Sequence, residues 1–192
     1  MEGTADTWVL AGSMVGEFAI AAVIYLEIEA HRLDRFLESA FCSDHFKARA
    51  DIYGRYCAIS SHGENRRQAF LELIKSNPEL AEKCNYEIAL MSRIGNCLPW
   101  LPWLRRRAVR WFPHSVVFLW EILGPYVEQR RKDSVPRWGH DFVRFALECL
   151  KEIRSQGVPQ LVIRGQKQGE VVTLDTKRLE EIAVELENAD GR

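Results

Sequence analysis

Two cysteine–histidine spacings are the first places to look for chemistry. Cys42-x2-His45 sets a thiol and an imidazole one helical turn apart, and Cys57-x4-His62 follows further along the chain. Thiolate with neutral imidazole suits tetrahedral zinc, so Cys42, His45, Cys57 and His62 form a candidate metal set. The spacing is not that of a zinc finger, and cysteine packs readily as a small apolar residue. The competing reading is therefore ordinary helix residues. A Cys149–His140 nucleophile pair fares worse, because about 100° per residue turns the two onto different faces of one helix. GxSxG, GxxxxGK[ST], HExxH and GxGxxG are all missing from the sequence, although a triad assembled in space leaves no local spacing. No catalytic residue and no cofactor follows, and the reading is of a protein that is not an enzyme.

A second constellation is basic and aromatic. Between Leu98 and Phe112, Trp100, Trp103 and Trp111 interleave with Arg105, Arg106, Arg107 and Arg110, and no acidic residue intervenes. Tryptophan at headgroup level and arginine towards anionic lipid suit a membrane-facing segment. Arginine beside aromatic faces also suits single-stranded nucleic acid, but the near-zero net charge of the chain argues against nucleic acid as a general partner. The plain alternative is a connector with core tryptophans and solvated arginines. Trp100, Trp103, Arg105, Arg106, Arg107 and Arg110 are a candidate lipid or partner surface.

These residues need elements to hold them, and the longest is apolar. Trp8–Leu26 reads WVLAGSMVGEFAIAAVIYL, which as a helix reaches about 28 Å, close to the hydrocarbon thickness of a bilayer. Its larger aliphatic and aromatic residues favour insertion by about 2–5 kcal/mol together, and the central carboxylate of Glu17 opposes it by about 2.5–3.5 kcal/mol. The span is marginal and points to a partner for Glu17 in the membrane. Gly12-x3-Gly16 is a small-xxx-small pattern that allows close helix approach, hence a homo-oligomer through this helix. The alternative is a core or oligomerisation helix of a soluble protein. MEGTADT lacks a basic region, and Arg32, Arg35, Lys47 and Arg49 all follow the run. The positive-inside rule then places the body in the cytoplasm, at the inner membrane of a cell. Five scattered cysteines without a CxxC agree with a reducing compartment.

The apolar helix has no stop signal and should run on through EIEAHRLDRFLESAF, with Leu33, Phe36, Leu37 and Ala40 as its inward stripe. Further helices are expected over FKARADIYGRYCAI, over 64–76, and from an Asn77 cap with Pro78 at its first position to Gly95-Asn96. LRRRAVRWF should be a short helix before Pro113. The following helix has Val116, Trp120, Leu123 and Val127 inward, and Pro125 should kink or break it. A last long helix should open at Pro136 and end at Gly157. QLVIRG and GEVVTLD then read as a β-hairpin, and Asp175 caps a final helix. Residues 1–7 form an extracytoplasmic tail, 8–26 the anchor, 27–157 a helical domain and 158–192 the hairpin plus helix. The fold class is mainly α.

CNYEIALMSRIGNCLPW, FPHSVVFLWEILGPYVEQRR, Trp138 and Phe142 are similar to a bacterial and phage family of unknown function. The resemblance spans roughly residues 64–150 and rests on Glu87, Gly95, Trp120, Pro125-Tyr126-Val127 and Arg130. It implies a short N-terminal membrane segment and a helical cytoplasmic domain, and no catalytic residue. Glu87 and Arg130 are expected to pair and fix the central helices. The role expected is a membrane-anchored interaction or scaffold module.

Overall fold

The computed structural model describes residues 3–40, 42–60, 62–97, 102–133, 135–164 and 171–191, with side chains described from residue 18 in the first helix and from residue 106 in the fifth. Helix α1, Gly3–Ala40, runs without a break, as the unbroken series of helix formers after Leu26 requires. It is followed by α2 (Ser43–Cys57), α3 (Gly63–Ser76) and α4 (Pro78–Asn96). Asn77 caps α4 by accepting the Leu80 N–H at 3.0 Å, with Pro78 in the first turn where its missing N–H costs nothing. Then come α5 (Pro102–Trp111), α6 (Pro113–Asp133) and α7 (His140–Ser155).

Several boundaries differ from the sequence reading, α2 opening at Ser43 rather than Phe46 among them. Helix α7 opens at His140, because Pro136–Gly139 form turns and Gly139 takes a left-handed φ of +69° just ahead of it. Helix α6 continues through Pro125. A proline deprives the carbonyl four residues back of its helical donor, here that of Glu121. The Arg67 side chain supplies the missing hydrogen bond, its Nε donating to the Glu121 carbonyl at 3.2 Å.

Strands β1 (Gln160–Arg164) and β2 (Val171–Asp175) pair antiparallel, with Leu161 opposite Leu174 and Ile163 opposite Val172. A hairpin alone is marginal. This one turns Leu161, Val172 and Leu174 into the common core, beside Leu179, Ile182 and Leu186 of α8 (Thr176–Asp190). Asp175 caps α8 by accepting the Arg178 N–H at 2.9 Å. The core centres on α6, which is buried on nearly every side from Val116 to Gly124 and therefore needs no polar face. Trp120 meets Phe142 of α7 edge-on at 5.7 Å, and α7 in turn packs on α4, α6 and α8.

Among its described side chains, helix α1 joins this core only over its C-terminal part. Leu33, Leu37 and Ala40 are fully buried, whereas residues 18–25 are exposed on all sides of the helix. Over 18–25 the helix is thus not a core helix of this chain, which corrects the core half of that alternative for these residues and leaves the oligomerisation half open to test. Among the described residues no helix is long and apolar enough to cross a membrane. The expected 8–26 span falls partly outside them, since the side chains of residues 8–17, Glu17 included, are not described.

Candidate functional site

Three arrangements stand out, and the first lies where α1 leaves the core. Phe18, Ile20, Val23, Ile24, Tyr25 and Ile28 are each more than half exposed. Helix α5 packs beside α1 just beyond them, with Arg107 Nη2 on Asp34 Oδ1 at 3.2 Å. Arg110 reaches Glu152 of α7 at 3.5 Å and Arg106 points to solvent. The C-terminal end of α4 lies at the same level. Burial pushes the Cys97 thiol up, and its nearest charges are Arg32, which opposes the rise, and Glu29, which adds to it. Arg106, Arg107 and Arg110 of the expected surface therefore stand beside the foot of α1. The side chains of Trp100, Trp103 and Arg105 lie outside the described residues.

The second arrangement is a buried carboxylate between α2 and α4. Glu87 is fully buried, with its Oε1 2.6 Å from His45 Nδ1 and its Oε2 3.3 Å from Arg49 Nε. Tyr86 stacks flat on the His45 ring at 3.9 Å and closes the cluster on its solvent side. Burial pushes the Glu87 carboxyl above its ordinary range, against the opposing pull of His45 and Arg49. A carboxylate on Nδ1 fixes an imidazole's orientation and tautomer, but His45 is itself only 3% exposed. What the geometry accomplishes is to tie α2 to α4. On the outside of Tyr86 a groove of about 440 Å³ runs between the same helices, past Asp44, Lys47, Glu82 and Lys83.

The expected Glu87–Arg130 pair is not built. Glu87 is buried and paired as expected, but its partners come from α2, and Arg130 stands over the Trp138 ring at 5.7 Å. The candidate metal set is not brought together either. His45 and Cys57 lie near opposite ends of α2, about 18 Å apart at the helical rise, far beyond the reach of one ion's ligands. Cys42 and His62 are exposed while His45 and Cys57 are buried. Among the described residues no three His, Cys, Asp or Glu side chains are grouped to hold a metal.

The third arrangement went unread in the sequence. Glu121, 3% exposed on α6, receives Nε and Nη2 of Arg178 at 2.8 and 2.6 Å and the Tyr56 hydroxyl at 3.3 Å. Arg67 of α3 donates to both Glu185 oxygens at 3.1 Å, and Arg178 also reaches Glu185 at 3.0 Å. The network joins α2, α3, α6 and α8. Burial pushes the Glu121 carboxyl up while Arg67 and Arg178 pull it down, leaving it above the usual range. The one available signal was Pro125, which announces an unserved carbonyl at Glu121.

No family model, curated protein or solved structure matches the chain.

Proposed function

We propose that the protein is a membrane-anchored helical interaction module, held by a single N-out pass of α1 with its body in the cytoplasm and serving no catalytic role. The observation that carries this reading is the bare apolar stretch of α1. Its six exposed large residues forgo roughly 5–10 kcal/mol in water at about 1.5–3 kcal/mol per fully buried side chain. Soluble monomers rarely leave such a patch uncovered. A stretch apolar on all faces asks for lipid or protein all round it, rather than for one groove. Arg32, Arg35 and the arginines of α5 follow the stretch, as the positive-inside rule requires of the cytoplasmic side.

One second reading has support from the same observation: α1 covered by α1 of another copy in a soluble oligomer. Membrane fractionation of the tagged full chain separates the two. Pelleting that resists carbonate supports the anchor. Complete recovery in the soluble fraction, as an oligomer that Val23→Glu with Ile24→Lys dissociates, replaces it with the second reading.

A further inference from the structure

Resting on the membrane reading, we propose that Arg106, Arg107 and Arg110 of α5, together with Arg32 and Arg35 of α1, form a basic collar that binds anionic phospholipid headgroups at the foot of the anchor.

The first argument is position. Arg107 is joined to Asp34, eight residues past Leu26, so α5 sits within about 12 Å of the end of the apolar run at 1.5 Å per residue. Arg32 lies within about 9 Å by the same rise. Those depths match the headgroup region and the roughly 8–10 Å over which an anionic leaflet attracts cations. The second argument is shared facing. Arg106 and Arg110 stand four residues apart, and Arg107 and Arg110 three, so all three project from one side of α5. Arg32 and Arg35 are likewise three apart on α1.

The third argument is charge. From Pro102 to Trp111 α5 carries four arginines and no acid. Its countercharges come from other helices, Asp34 and Glu152, while 53% of the Arg107 side chain and 67% of that of Arg110 stay exposed. Arg35 and Arg106 make no ion pair among the described residues. Guanidinium groups held in this way keep free donors, and planar donors match phosphate oxygens in pairs. On α1 itself Arg32 is met by Glu29 at 3.6 Å, and Glu27 and Glu38 lie on the same stretch, so the positive charge left for a lipid phosphate is chiefly that of α5.

The test is lipid binding by the purified full chain in a non-ionic detergent. Fluorescent phosphatidylglycerol and phosphatidylcholine of the same chain length are titrated at low and at high salt. The expected result is phosphatidylglycerol bound about 5- to 25-fold more tightly at low salt, from about fivefold per effective arginine with part of the charge offset by Asp34 and Glu152. The preference should shrink with salt, vanish in R106Q/R107Q/R110Q and survive largely in R106K/R107K/R110K, with unchanged circular dichroism in both. Equal binding of the two lipids, or an unaffected Gln variant, overturns the proposal. So does a single-stranded oligonucleotide that displaces the lipid at lower concentration. Carbonate-resistant pelleting without any phosphatidylglycerol preference sinks the collar and leaves the anchor standing, whereas carbonate extraction sinks the anchor.

Discussion

Gly95 gives the sharpest prediction, because what it faces is backbone. A Cβ added there would sit 2.0 Å from the Asp141 carbonyl oxygen and 2.7 Å from its carbon. Close C···O contacts in proteins lie near 3.3–3.6 Å, so Gly95→Ala must part α4 from α7 by more than about 1 Å. No side chain can swing aside to make the room. Both helices are anchored in the core, α4 by Ile88, Met91 and Ile94 and α7 by Phe142, Phe145 and Cys149. A gap of 0.5–1 Å already forfeits about a quarter to a half of a dispersion contact. Overpacking of this kind costs about 1–3 kcal/mol or more. Alanine's better helix propensity returns at most about 1 kcal/mol, and less than that so close to the end of α4 at Asn96. Taking the upper end of the overpacking range, because backbone cannot swing aside, the net expectation is a loss of about 2 kcal/mol. For a chain of 150–250 residues that lowers Tm by about 4–8 °C. Thermal unfolding of the full chain in detergent, followed by circular dichroism, measures it. Ala89→Gly, at an exposed position of the same helix, calibrates propensity alone at about 1 kcal/mol. A Gly95→Ala protein as stable as the parent would refute the close approach of α4 and α7.

Three further outcomes follow from other parts of the fold. Arg67→Gln should cost about 1–3 kcal/mol by stranding the buried Glu121 carbonyl, while the Glu121 carboxylate keeps Arg178. Adding Pro125→Ala should then recover about 1 kcal/mol through the restored helical hydrogen bond, and strictly additive effects in denaturant unfolding would contradict that assignment. At pH 7 one cysteine per chain, the exposed Cys42, should react rapidly with a maleimide. Burial pushes the Cys84 thiol up to about 12 and Cys149 well above its ordinary value, and the thiolate is the reactive form; mass mapping of a second fast site would contradict this burial. Finally, burial pushes the Asp51 carboxyl up, but hydrogen bonds from Lys83 and Arg55 outweigh it and hold the group below the usual carboxylate range. A depressed folded value means stability present above the unfolded pKa, near about 4, and lost as pH falls through the folded one. Asp51→Asn should therefore cost under about 1 kcal/mol at pH 7, given the solvent screening of these half-exposed partners. The difference should close below about pH 4, and a gap that widens in acid would reverse the assignment.

Most of the helices could be read along the chain because their signals are local. The Asn77-Pro78 start, the Asp175 cap and the alternation that sets Leu161 and Leu174 on one face each depend on residues a few positions apart. The start of α7 was misplaced because Gly139 takes a left-handed turn that Pro136, a good helix opener, concealed. The charged clusters were legible only in fragments. Glu87 was singled out through the resemblance and expected to be paired, yet the partner named for it, Arg130, was not the one that arrives. Periodicity states which side of a helix is inward and is silent about which helix arrives there. Nothing in the sequence singled out Arg67, which Glu121 of α6 and Glu185 of α8 meet only in the folded chain.

By itself, the sequence determined the mainly helical class, the continuous first helix and the hairpin, since propensity, capping and turn chemistry act within a few residues. Only the tertiary structure decided where α1 stops being packed, which arginine serves the carbonyl that Pro125 abandons, and that His45 and Arg49 rather than Arg130 meet Glu87. Those outcomes depend on contacts between residues distant in sequence, 42 positions for His45–Glu87 and 54 for Arg67–Glu121, made when whole helices dock, and no local spacing encodes them.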